Sequence, residues 1–165
     1  MRWISYFILA YLAIGVQIGA GEFLRFGGAR PDLVLLAVIY IAINAPREAA
    51  LLGAFVLGLL VDLVGLHPLG LYAFGYGLVA MFVVSTQEIV YREHPMTHFT
   101  VALVASLLVS TIALIHGWIF GPLLPLGAQF STAVYTAVLA PIVLGLLQRM
   151  KKAFAFKSRR RLGIV

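Results

Sequence analysis

The sequence predicts an all-α polytopic membrane protein, folded as a compact bundle of six transmembrane helices with a short second helix. Of its 165 residues, 62% are hydrophobic and only 11% are charged, whereas soluble domains average about 25% charged residues. A small soluble protein has too much surface to cover with so few polar side chains. The composition therefore excludes a soluble enzyme, a disordered chain and a coiled coil.

Six apolar blocks are separated by short polar or proline-marked segments, at residues 3–20, 33–43, 49–66, 69–86, 99–120 and 131–147. A spanning helix needs about 20 residues, with about 17 as the lower bound, and five blocks pass this test. The second block is shorter. It spans only if the bilayer thins locally or if the helix packs inside the bundle, and otherwise it is re-entrant.

The distribution of basic residues favours six spans with both termini in the cytoplasm. That topology leaves only Arg25 and Arg30 outside and puts the other 10 Lys and Arg residues inside, as the positive-inside rule requires. Seven of those lie at or after Arg149. We divide the chain into a transmembrane domain, 1–150, and a basic cytoplasmic tail, 151–165. The tail is expected to contact anionic membrane lipid or a cytoplasmic partner rather than nucleic acid.

The first block also resembles a signal peptide, because Arg2 precedes a long apolar run. Its candidate cleavage site, Ile18-Gly19-Ala20, is poor, and the run is long for a signal sequence. We therefore interpret the block as a retained helix.

Asp62 is the one carboxylic acid inside a predicted span, and such residues in membranes are expensive. One hypothesis makes it a proton or cation site, or a polar contact for a partner. The other makes it a cap for a neighbouring helix start or the partner of a basic side chain. It lies within about 6 Å of the predicted end of its helix, and Arg25 and Arg30 are predicted on that side.

Two proline-containing segments mark helix starts. In Arg30-Pro31-Asp32 the proline suits the first helical turn, and the acid complements the positive helix end. The alternative is that Arg30 and Asp32 lie at the outer surface, where a partner could bind them. Pro68-Leu69-Gly70 lies between the third and fourth blocks, where Pro68 is expected to end one helix or start the next.

Small residues recur at four-residue spacing, which lets helices approach closely in lipid. Gly15 and Gly19 form a GxxxG pattern in the first block, and Ala50, Ala54 and Gly58 form a stripe in the third. Either set packs inside the bundle or receives a helix of another protein. Bulky variants such as Gly15→Leu or Gly58→Leu should weaken partner binding in the second case.

The chain offers no recognisable catalytic machinery. It has no cysteine, no phosphate-binding loop, no dinucleotide fingerprint and no serine-hydrolase or zinc-protease motif. His94 and His98 have a spacing that can bind metal, but Pro95 pushes His94 away from helical geometry. We therefore expect no enzyme activity, no cofactor and no metal.

Two stretches resemble the bacterial rod shape-determining family MreD. One is Arg30-Pro31-Asp32-Leu-Val-Leu-Leu, and the other is GAFVLGLLVDLVGLHPLG, from Gly53 to Gly70. The family signature falls on Pro31, Asp32, Gly58, Asp62, Pro68, Leu69 and Gly70.

The resemblance implies a non-catalytic scaffold of the cell-elongation machinery in the bacterial inner membrane. Its partners would be the single-span protein MreC and, indirectly, MreB and the synthase pair of RodA and a class B penicillin-binding protein. It also implies a helical arrangement similar to the S components of energy-coupling-factor transporters. An alternative function is therefore a small-molecule-binding subunit of a transporter.

Overall fold

The computed structural model describes residues 3–20, 23, 25, 29–65, 68–86, 95–121 and 126–149. These residues form six helices and no strand, so the all-α prediction is confirmed. The helices are α1 (Trp3–Ala20), α2 (Leu33–Asn44), α3 (Arg47–Val64), α4 (Leu71–Ser85), α5 (Pro95–Phe120) and α6 (Leu126–Arg149). The predicted basic tail and His94 lie outside the described residues.

The short helix α2 forms the centre of the bundle. Its 12 residues rise about 18 Å, which is less than the roughly 30 Å of a bilayer core. Residues 34–42 are all buried, because the other five helices all contact α2. A helix that is apolar on every side is stable in such an enclosed position, and the structure places the second block inside the bundle.

The remaining helices surround α2 in two tight pairs and one peripheral helix. α3 packs mainly against α4, and α5 packs mainly against α6, while α1 contacts α2 and, to a smaller extent, α3. One buried hydrogen bond joins α1 to α3: the Tyr6 hydroxyl donates to the Gly53 carbonyl oxygen at 2.6 Å.

The helix bounds differ from the sequence prediction mainly in the last two helices. α5 begins at Pro95 and α6 begins at Leu126, four and five residues before the predicted apolar blocks. Polar residues such as Thr97 and Gln129 belong to these first turns, so hydropathy alone misses them. By length and composition, two helices can cross a membrane, at Met96–Phe120 and Leu126–Arg149.

Candidate functional site

Asp62 caps the beginning of α4. It is 1% exposed, and its two carboxylate oxygens accept backbone N–H groups from Gly70 and Tyr72, each at 2.9 Å, and from Ala73 at 3.2 Å. The first N–H groups of a helix have no partner within the helix and carry its positive dipole end. Of the two hypotheses for this residue, the structure therefore shows the helix cap.

Gly58 lies one helical turn before Asp62 and faces the same part of α4. A side-chain carbon at this position would lie 2.6 Å from the Ala73 nitrogen and would also overlap the Ala73 Cα and the Tyr72 carbonyl oxygen. Only glycine lets the two backbones approach this closely. Gly58 thus packs inside the bundle, and its Leu variant would report on folding rather than on partner binding.

Pro68, Leu69 and Gly70 form the turn that delivers α4 to Asp62. Gly70 has a φ of 100°, in the left-handed region that glycine tolerates best. The Leu71 N–H donates to the Pro68 carbonyl oxygen at 3.2 Å. The Leu69 side chain is 69% exposed, so the turn keeps this apolar side chain at the surface.

Asp32 is the centre of a second polar cluster, which we call the Asp32 node and define as Gln17, Asp32, Tyr76 and Thr136. The Asp32 carboxylate caps its own helix by accepting the Leu35 N–H at 2.9 Å. It also accepts the Tyr76 hydroxyl at 2.8 and 3.0 Å. The node therefore connects the start of α2 to the middle of α4.

Two further hydrogen bonds of the Asp32 node reach α1 and α6. The Asp32 N–H donates to the Thr136 Oγ1 at 2.9 Å, and that hydroxyl donates to the Thr132 carbonyl oxygen. The Leu33 N–H donates to the Gln17 Oε1 at 2.8 Å. Hydrogen bonds from three other helices, α1, α4 and α6, thus converge on the start of α2.

The predicted residues beside this node have distinct positions. Pro31 is buried, whereas the Arg30 side chain is exposed. The Arg30 N–H makes a long contact of 3.4 Å with the Thr132 Oγ1. Within the described residues, no group of three or more His, Cys, Asp or Glu side chains could hold a metal ion.

Gly15 and Gly19 lie on the opposite side of α1 from Gln17. At 100° per residue, Gln17 is about 200° around the axis from Gly15. Both glycines are exposed, and nothing lies within 4 Å of a side-chain carbon added at either position. We call this surface the α1 face; it consists of Ile8, Tyr11, Leu12, Gly15 and Gly19.

Sequence reasoning missed three hydrogen-bonding side chains that organise the bundle: Tyr6, Tyr76 and Thr136. Each is at most 1% exposed, and each hydroxyl bonds to another helix. A buried tyrosine hydroxyl inside an apolar helix needs a hydrogen-bond partner, and this requirement was the sequence signal that could have indicated a polar contact. It does not identify the partner.

Comparison with known proteins identifies the family. The family model described as rod shape-determining protein MreD matches residues 1–153, which include both polar clusters and the α1 face. No curated protein and no solved structure matches the chain, so the likeness to transporter S components stays a prediction. Because the match covers most of the sequence, the chain belongs to the MreD family of rod shape-determining proteins.

Proposed function

We propose that this protein is a non-catalytic scaffold of the cell-elongation machinery, and that it binds the single membrane-spanning helix of an MreC-like protein. Through MreC it would help couple MreB to RodA and its penicillin-binding partner. MreD is a shape-determining family of membrane proteins and is not a known enzyme family. We place the chain in the bacterial inner membrane with six spans and both termini in the cytoplasm, as the basic residues favour.

The α1 face is the observation that supports this proposal. α1 is peripheral and has two tight interhelical hydrogen bonds on its inner side, through Tyr6 and Gln17. Its outer side carries the GxxxG pattern with open space at both glycines. Association of helices in lipid depends on close backbone approach, which small residues permit. A partner helix can therefore pack on Gly15 and Gly19 without disturbing the bundle.

The test is co-purification of MreC with tagged Gly15→Leu and Gly19→Leu variants from mild detergent. We expect several-fold less MreC per molecule of tagged protein, because leucine keeps the partner backbone at a distance. Gly145→Leu is the matched control: Gly145 lies in α6 and also has nothing within 4 Å of an added carbon. Recovery equal to wild type for both α1 variants would exclude the α1 face as the docking surface.

The alternative, a small-molecule-binding subunit of a transporter, depended on Asp62 as a polar group available to a ligand. The structure uses both Asp62 oxygens in the α4 cap. The alternative therefore draws no support from this residue. A stoichiometric small molecule in the purified protein, found by mass spectrometry, would revive it.

A further inference from the structure

An open groove follows the outer surface of α6. Its volume is about 480 Å³, and its lining residues are Ala29, Phe130, Ser131, Val134, Tyr135 and Val138. Phe130 and Val138 are more than half exposed and lie eight residues apart, so the groove extends about 12 Å along the helix. Ala29 contributes a second wall, from the connection between α1 and α2.

One end of the groove lies beside exposed positive charge. The contact between the Arg30 N–H and the Thr132 Oγ1 puts Arg30 level with the Phe130 end. The Arg30 side chain is exposed.

The charge and the apolar lining together match an amphiphile with a negative head. A guanidinium offers five N–H donors in a planar fork that fits phosphate oxygens. Half of a bilayer hydrocarbon core is about 15 Å deep, close to the 12 Å length of the groove. One acyl chain lying along α6 would thus have its phosphate at the level of Arg30.

We propose that this groove is a binding site for an anionic glycerophospholipid, with the phosphate at Arg30 and one acyl chain between Ala29 and α6. The site is separate from the α1 face and goes beyond the scaffold function. It would fix a lipid between the α1–α2 connection and α6, which are otherwise joined here by the hydrogen bonds of Thr132 and Thr136.

Native mass spectrometry of the full chain in detergent tests the proposal. The probes are dioleoylphosphatidylglycerol and dioleoylphosphatidylcholine, which share acyl chains and differ in charge. We expect the anionic lipid to bind at least about fivefold more tightly, the change that corresponds to one basic residue at an anionic surface. Arg30→Gln should remove this preference, whereas Arg149→Gln, at the exposed end of α6, should keep it.

A second pair of variants tests the groove itself. Val134→Phe fills the groove and should reduce binding of both lipids, whereas Ile142→Phe, on the same helix but outside the lining, should not. Equal binding of the two lipids by wild type, or unchanged binding by Arg30→Gln and Val134→Phe, would overturn the proposal. So would a dimer that Val134→Phe dissociates without any dependence on lipid, because a second copy would then occupy the groove.

Discussion

Among the acidic residues that the structure describes, Asp62 is the one whose replacement with alanine should destabilise the bundle most. The substitution leaves the N–H groups of Gly70, Tyr72 and Ala73 without their acceptor. The site is closed to solvent, since Asp62 is 1% exposed, and water cannot readily replace the carboxylate. The start of α4 would lose its fixed position against α3.

The expected magnitude follows from the number of hydrogen bonds. A hydrogen bond contributes about 1–1.5 kcal/mol net, so losing three lowers the free energy of unfolding by about 3–4.5 kcal/mol. Asparagine keeps one oxygen, which can accept the two N–H groups that now bond to Oδ2. Its amide nitrogen would face the Tyr72 N–H, so we expect Asp62→Asn to cost about 1–2 kcal/mol.

The assay is reversible unfolding of the purified protein in mixed micelles, followed by circular dichroism. Glu48→Ala is the matched control, because Glu48 is an exposed acid in the first turn of the same helix, where its loss costs less than about 1 kcal/mol. The order wild type, Glu48→Ala, Asp62→Asn, Asp62→Ala is expected for decreasing stability. If the free energy of unfolding of Asp62→Ala lay within about 1 kcal/mol of the wild-type value, the cap would not hold α3 and α4 together.

Three further outcomes are expected. Gly58→Ala should lower the free energy of unfolding by about 1–3 kcal/mol, because the added carbon overpacks against α4. Gly77 has open space around it, so Gly77→Ala should leave the free energy of unfolding unchanged. Equal effects of the two substitutions would contradict the close approach of α3 and α4. Tyr76→Phe removes the hydroxyl that bonds to Asp32 and should lower the free energy of unfolding by about 1.5–3 kcal/mol in the same assay. Wild-type stability of this variant would show that the Asp32 node does not stabilise the fold. Reporter fusions at both ends should show cytoplasmic termini, and an external reporter at either end would refute the six-span topology.

The two signature stretches illustrate how far sequence reasoning reaches. Their local roles were predictable: Pro31 and Asp32 open a helix, and Asp62 was a candidate cap. The local pattern contains the proline, the acid and the following apolar run, which suffice for a helix start. The patterns do not predict that both signatures meet at α4, through Asp62 at its first turn and Asp32 at Tyr76.

The glycines show even more clearly which features are local to the sequence and which depend on helix packing. Gly58 and Gly15 occur in similar small-residue patterns. The spacing does not show whether a neighbouring helix covers that side of either helix. The structure packs Gly58 against the α4 backbone and leaves Gly15 open. The difference arises because α3 has a neighbour on that side and α1 is peripheral.

The sequence by itself determined the all-α class, the six apolar helices and the family, because hydropathy, helix-start residues and a short signature are local properties of the chain. Only the tertiary structure decided that α2 is the enclosed centre, that Asp62 and Asp32 are occupied by hydrogen bonds within the chain, and that the GxxxG glycines are open. These facts depend on which helix faces which. In an apolar chain nearly every face is hydrophobic, so hydropathy does not distinguish one packing from another. The choice depends on a few buried polar atoms that must find partners, and those partners lie up to 104 residues apart in sequence.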